Sequence, residues 1–220
     1  MCQVETVPAD WWQRLDAPWR RAFHLAWESL SVGSPPVGAV VLDEVGALVG
    51  EGRSRRGESD APAGSLGGSA LAHAEVNALA ALPVGNHRQL TLRVTLQPCL
   101  LCTAAVIMSK IGSVEFAGQD PLWNYLPRLA SVDPWLEVRW VQLQGPLAGP
   151  PGEWASVLAL IDLLELKPGG SAVAAFQSAA PGLLAAARAV RRTCPRAELV
   201  RLGPAAATDL VTPLLPSRSS

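Results

Sequence analysis

The chain has 220 residues, of which 49% are hydrophobic and 17% charged, and this balance excludes an intrinsically disordered protein. Its 18 basic and 19 acidic side chains leave a net charge of −1, so no global field attracts nucleic acid or an anionic membrane. No stretch approaches the roughly 20 consecutive apolar residues of a membrane span. Residues 1–12 also lack a signal-peptide pattern, so we expect a globular, cytoplasmic protein.

The first predicted elements are a helix and a hairpin. Apolar residues recur at helical spacing over 11–30 with an interruption near Pro18, which predicts an amphipathic helix in two pieces. The Gly-Ser-Pro-Pro segment at 33–36 ends that pattern. Two β-type runs follow at 37–42 and 47–49, and the turn residues between them predict a hairpin.

The middle of the chain alternates helices and strands after a long loop. Residues 52–69 are rich in Gly, Ser, Arg and Pro without periodicity, so we expect a mobile loop there. Apolar patterns then predict a helix over 72–82, a strand over 90–96, a second helix over 98–111 and a strand over 113–117. This order favours helices packed on a mixed sheet.

The pattern weakens toward the C-terminus. Residues 136–143 alternate like another strand, and 153–166 predict a helix. Residues 171–220 are rich in alanine and interrupted by prolines, so we expect helical pieces and a frayed end. We therefore predict a main domain over 1–145 and a mostly helical C-terminal extension over 146–220.

One constellation of chemically active residues is more specific than any other. The chain has His-Ala-Glu at 73–75 and Pro-Cys-Leu-Leu-Cys at 98–102, each at the start of a predicted helix. Cys99 and Cys102 share one face of a helical turn, and the positive end of the helix favours thiolates. His73 adds a third ligand, which leaves the fourth tetrahedral position of zinc open to water, as in catalytic sites.

Glu75 is the candidate base. Two thiolates and a neutral imidazole cancel the charge of zinc, so the water is acidified only weakly and needs a nearby proton acceptor. We predict that Glu75 takes that proton, donates to the ring nitrogen of the substrate and finally protonates the departing ammonia. Residues two apart on a regular helix point about 200° apart. His73 must therefore sit at the very first turn if Glu75 is to reach the same water.

Two other interpretations remain open from the residues alone. A Cys-x-x-Cys pair at a helix start is also typical of thioredoxin-like redox proteins, although that leaves residues 73–75 unexplained. A structural zinc module, without catalysis, is the other alternative.

His-x-Glu followed by Pro-Cys-x-x-Cys is the signature of the zinc deaminases. Other matching pieces are 36–40, 50–52, 76–79, 95–97 and 111–121. Together they make residues 23–123 resemble the cytidine deaminase superfamily, especially its tRNA-adenosine and guanine/cytosine deaminase branch. The resemblance implies a three-layer α/β/α fold with a five-stranded mixed sheet, zinc on His73, Cys99 and Cys102, Glu75 as proton shuttle, and a homodimer or higher oligomer.

Four residues are candidates for substrate contacts through this resemblance. It places Ala39 beside the pocket, and it places Ser54 where the family usually has an asparagine that holds the base. Asp120 and Trp123 follow the strand after the second metal helix, where related enzymes line the pocket. A turn aspartate and a core tryptophan are equally good interpretations of these two.

Two substrate classes stay open. A small amino-substituted base, nucleoside or related heterocycle needs only a closed pocket, whereas a tRNA-adenosine deaminase ordinarily needs a basic surface. The near-zero net charge favours the small molecule. Residues 171–220 nevertheless carry six arginines against two acidic residues, which could serve tRNA. We interpret the arginines at 53, 55 and 56 as a solvated cluster.

Overall fold

A computed structural model describes residues 9–216, in which five strands form one mixed sheet in the order β2-β1-β3-β4-β5. The strands are β1 (Gly38–Leu42), β2 (Leu48–Arg53), β3 (Thr91–Leu96), β4 (Ser113–Gly118) and β5 (Gln142–Gln144). β1 pairs antiparallel with β2 and β3, while β4 runs parallel to both β3 and β5. The predicted five-stranded mixed sheet is confirmed.

Helices cover both faces of this sheet. They are α1 (Trp11–Arg14), α2 (Ala17–Ser31), α3 (Ala74–Ala80), α4 (Leu100–Met108), α5 (Pro134–Glu137), α6 (Pro150–Leu166), α7 (Ser171–Ala179), α8 (Pro181–Thr193) and α9 (Arg196–Val211). Side chains of β1 alternate between faces: Val41 packs with α3 and α4, whereas Val40 packs with α2 and α6. The predicted three-layer α/β/α arrangement is therefore confirmed.

The N-terminal helix is divided in two, as its sequence predicts. Leu15 has an extended backbone after α1, and Asp16 begins α2 because its side chain accepts a hydrogen bond from the amide of Trp19 at 2.9 Å. Pro18 lies in the first turn of α2, where its missing N–H costs nothing.

The strand predicted over 136–143 is wrong over its first six residues, 136–141. The side chain of Asp133 accepts a hydrogen bond from the amide of Trp135 at 2.8 Å, and Pro134 occupies the first helical position. These capping signals start a helical turn, which overrides the alternating pattern. Only Gln142–Gln144 joins the sheet, beside β4.

Two glycines allow helices to approach the sheet closely from opposite faces. A Cβ atom at Gly38 would lie 2.1 Å from the carbonyl oxygen of Ala22 in α2. One at Gly52 would lie 2.3 Å from the backbone nitrogen of Ala78 in α3. No side chain fits at such distances, so Gly52 sets how closely α3 packs on β2.

The C-terminal region is helical within the described residues, and it shares a core with the rest of the fold. One hydrophobic cluster joins Phe23 of α2 to Leu158 of α6, Leu184 of α8 and Leu199 of α9. No single described helix is long and apolar enough to cross a membrane; α7 and α8 meet that test only jointly, across a 119° bend. The division at residue 145 stays a prediction, and the end of the expected frayed tail, 217–220, lies outside the described residues.

Candidate active site

Three side chains converge between α3 and α4. His73 Nδ1 lies 3.7 Å from Cys99 Sγ and 3.3 Å from Cys102 Sγ, and the two sulfurs are 3.6 Å apart. All three atoms lie within 4.8 Å of one another. The structure therefore brings together the three residues that the sequence motif predicts as ligands.

These distances fit a zinc ion. Tetrahedral zinc with ordinary bond lengths of about 2.3 Å to sulfur and 2.0–2.1 Å to nitrogen spaces its ligand atoms roughly 3.5–3.8 Å apart. The three separations fall in or close to that range. One imidazole and two thiols also form a donor set that zinc prefers.

Local backbone conformation explains how His73 and Glu75 can face the same cavity. His73 precedes α3 as its N-cap and has an extended backbone, with φ −78° and ψ 156°. Glu75 is the second residue of the helix proper, so the 200° separation of a regular helix does not apply. Cys99 is likewise the extended N-cap of α4, and Cys102 lies in its first turn.

The pKa values of the two cysteines are shifted in opposite directions. A hydrogen bond from the Cys102 thiol, supported by His73, lowers the pKa of Cys99 to about 4. The same hydrogen bond and burial raise the pKa of Cys102 above its usual range. This shift favours the thiolate of Cys99, the form in which sulfur binds metal.

Glu75 is almost fully enclosed beside this cluster. Glu75 is 4% exposed and lines the same cavity as His73 and Cys99. Burial, assisted by the negative charge on Cys99, raises the pKa of Glu75 to about 6. A carboxyl group with a pKa near neutrality can both accept and donate a proton.

The site opens into a cavity of about 760 Å³. Ser54, Asp120 and Trp123 line it, as predicted for substrate contacts. Ala39 does not: its side chain is fully buried in the core on the α3 and α4 side of the sheet, and Val37 reaches the cavity instead.

The predicted substrate residues differ in their hydrogen bonding. The hydroxyl of Ser54 is buried and has no hydrogen-bond partner among the described residues. Asp120 accepts a hydrogen bond from the amide of Leu122 at 3.2 Å, and burial raises its pKa to about 6. Gln97, which has no role in the sequence prediction, accepts a hydrogen bond from the amide of Asp120 at 3.1 Å and so helps to fix it.

Hydrogen bonds and ion pairs hold the long loop before His73 in place. Asn77 of α3 accepts a hydrogen bond from the amide of Leu66 at 2.7 Å and donates to the carbonyl oxygens of Leu66 and Arg53. Arg53 and Arg55 both pair with Glu58. Two of the three arginines predicted as solvated are therefore engaged within the loop.

Part of the cavity wall comes from the C-terminal region, which the sequence motifs do not cover. Ala159, Asp162, Leu163 and Leu166 of α6 line it, and so does Ala172 of α7. Two exposed cations also line it, Arg56 in the loop and Lys167 after α6. No local pattern around these residues could indicate their position, because each contact depends on tertiary packing.

Comparison with known proteins places the site in a family. The model of the cytidine and deoxycytidylate deaminase zinc-binding region matches residues 14–117, which include Glu75 and the three candidate ligands. A tRNA-specific adenosine deaminase from Streptococcus pyogenes serotype M18 is 32% identical over 118 residues, covering 49% of this chain and 69% of that protein. The chain belongs to this deaminase family. Zinc is accordingly its cofactor.

Other similar proteins overlap this chain to different extents. A tRNA-specific adenosine deaminase from Haemophilus influenzae is 36% identical over 105 residues, covering 46% of the chain. The chain spans only 56% of that relative. A solved structure from a study of A-to-I editing by tRNA:A34 deaminases is 20% identical, with a TM-score of 0.49, and covers 66% of this chain and 98% of that one.

Proposed function

We propose that this chain catalyses the hydrolytic deamination of an amino-substituted nucleobase, with release of ammonia. The observation that carries the proposal is the enclosure of Glu75 in one cavity wall with His73 and Cys99, whose ligand atoms cluster with that of Cys102. Those three residues would hold zinc, which when bound supplies a Lewis acid that makes water acidic at neutral pH.

Glu75 carries the proton in this mechanism. Its carboxylate accepts one proton from the attacking water and passes it to the ring nitrogen next to the amino-bearing carbon. It then takes the second proton from the hydroxyl group added to that carbon and gives it to the amino group, which leaves as ammonia. The C–N bond to the amino group breaks and a C=O bond takes its place. Burial of Glu75 supports this role, since it keeps the pKa of the carboxyl group close to neutrality.

We infer that the substrate is adenosine within tRNA. Support comes from the relatives named tRNA-specific adenosine deaminases, at 36% and 32% identity. The near-zero net charge had favoured a small molecule, but a local patch can serve instead of a global field. Arg56 and Lys167 provide exposed positive charge at the cavity.

Ammonia release from an anticodon stem-loop that carries a target adenosine tests both parts of the proposal. Replacing Glu75 with Gln should lower the rate by about 10²–10⁴-fold, because proton transfer is lost. Zinc content should stay at one ion per chain in this variant. An unchanged rate in Glu75→Gln would contradict the assigned role.

A free base, nucleoside or related heterocycle is the second candidate. Helices α6 and α7 close part of the cavity wall, and besides Glu75 two further buried carboxylates, Asp120 and Asp162, line it. Such a wall suits a neutral ligand better than a phosphate. An electrophoretic shift with bulk tRNA at low salt separates the candidates, since absence of binding there would reject the tRNA proposal.

Substrate contacts and oligomeric state remain predictions of this proposal. Ser54, Asp120 and Trp123 would hold the base, Trp123 by stacking, which is worth about 1–3 kcal/mol per base. A backbone contact from Ala39 stays a prediction, as does the homodimer. Light scattering on the purified chain would measure its mass directly.

A further inference from the structure

One carboxylate in the cavity wall takes no part in the proposed chemistry. Asp162 lies in α6, is only 2% exposed and lines the same cavity as Glu75. The other cavity-lining residues of α6 are apolar: Ala159, Leu163 and Leu166. Burying a carboxylate in an apolar wall costs free energy unless hydrogen bonds compensate, so its presence there needs an explanation.

The hydrogen bonds within the described residues compensate Asp162 only in part. Arg196 of α9 donates from Nη1 to Asp162 Oδ1 at 3.0 Å. The same guanidinium group also contacts Glu165 at 3.3 Å and the carbonyl oxygen of Leu30 at 3.0 Å. An ionised carboxylate offers about four acceptor positions. Most of the acceptor capacity of Asp162 is thus not used by the part of the chain that the structure describes.

Arg196 also holds the carboxylate in place. By bridging α9, α6 and the end of α2, it fixes Asp162 against movement out of the wall. A buried acceptor that is held rigidly is the kind of polar group that orients a ligand in an otherwise apolar pocket.

We propose that Asp162 is a specificity-determining residue, which accepts a hydrogen bond from an N–H or O–H donor of the substrate other than the amino group that leaves. The proposal rests on the proposed function, because it needs a nucleobase ligand in this cavity. Such a donor is either a second amino group on the ring or a ribose hydroxyl. A phosphate carries no such donor at neutral pH and is repelled by the carboxylate.

Calorimetry measures the affinity of each ligand for the zinc-loaded chain and so tests the proposal. Every protein compared carries Glu75→Gln, which suppresses turnover. One ligand pair is 2,6-diaminopurine and adenine, which differ by a ring amino group. The other is an RNA stem-loop with adenosine or 2′-deoxyadenosine at the target position. With Asp162 intact, at least one pair should show about 10-fold or greater preference for the donor-bearing ligand. Asp162→Asn should reduce that preference to about twofold or less, and the responding pair identifies the donor.

Glu165→Gln is the matched control. Glu165 contacts the same arginine from the same helix, yet it does not line the cavity, so the preference should persist. If Asp162→Asn fails to fold, the double change Asp162→Asn with Arg196→Gln replaces the ion pair by a neutral pair and serves instead.

Two results would overturn the proposal: an equal preference with and without Asp162, or no preference in either ligand pair. The first would leave Asp162 as a structural partner of Arg196 only. Failure of the proposed function is recognised separately, by ammonia release. A chain with native Glu75 that releases no ammonia, while the binding preference depends on Asp162, would reject deamination and keep this inference.

Discussion

Two buried hydroxyl groups, those of Ser54 and Thr103, lack a hydrogen-bond partner among the described residues, and only Ser54 lines the cavity. An unsatisfied buried hydroxyl costs about 1–3 kcal/mol, which a native chain tolerates more readily where a ligand can complete the bond. The contrast supports a substrate contact for Ser54.

Replacing each hydroxyl separately tests this difference. Ser54→Ala should leave the melting temperature unchanged or higher, because no protein hydrogen bond is lost, while kcat/KM falls about 5–30-fold through the lost substrate bond. Thr103→Val is the control, since it should also preserve stability but leave kcat/KM unchanged. Thermal melts and steady-state kinetics measure both. Equal kinetic effects in the two variants would contradict the contact.

Asp120 should make stability depend on pH in a direction unusual for an acid. Burial raises its folded pKa to about 6, above the unfolded value. Its contribution is therefore fully favourable below about pH 4 and is lost as the pH rises through 6. Asp120→Asn keeps an acceptor for the amide of Leu122 and removes the buried charge. We expect it to raise the free energy of unfolding by about 2–3 kcal/mol at pH 8.

Urea titrations at several pH values measure this effect. Near pH 3 the carboxyl is largely protonated in both states, and the two proteins should have nearly the same stability. A stabilisation of Asp120→Asn that does not change between pH 3 and pH 8 would show that the buried charge is not its source.

At the scale of elements, the loop between β2 and α3 depends on one side chain. Asn77 makes three hydrogen bonds to the backbone of Leu66 and Arg53. Asn77→Ala removes them, so we expect faster amide exchange at Leu66 and a loss of about 1–3 kcal/mol in stability. Hydrogen exchange measures the change at the Leu66 amide. Asn86→Ala is a control, because Asn86 is exposed and, within residues 9–216, its side chain bonds only the nearby amide of Arg88.

Local signals made most elements predictable. Asp16 and Pro18 mark the division between α1 and α2, and the candidate metal ligands lie at the starts of α3 and α4. Residues close together in the sequence therefore determine both features. The segment around Pro134 was mispredicted because capping outweighed hydrophobic alternation. The role of α6 as a cavity wall could not be predicted, since Asp162 and Glu75 come to line one cavity through the packing of segments that are distant in sequence.

At the scale of the whole molecule, α2 is the link between the sheet and the C-terminal helices. Trp27 of α2 donates from its indole to the carbonyl oxygen of Val200 at 3.2 Å, and its ring lies 6.4 Å from that of Trp154. Leu30 is 1% exposed in the same cluster. Removing the C-terminal helices would expose this face to water.

We therefore expect a chain that ends at residue 145 to lose cooperative unfolding and to aggregate. Circular dichroism against urea concentration, together with light scattering, measures both properties. A chain that ends at residue 216 should behave like the full protein. A cooperative transition of residues 1–145 at an unchanged midpoint would instead support two independent domains.

The family match ends at residue 117, whereas the cavity wall continues into α6 and α7. A stretch of chain outside the family match thus contributes part of the cavity wall, beside Ser54, Asp120 and Trp123. Substitutions in 159–172 would change the shape and charge of that part of the wall while the reaction centre stays constant. For laboratory evolution, a library confined to those fourteen positions is the economical route to a deaminase with a new substrate range.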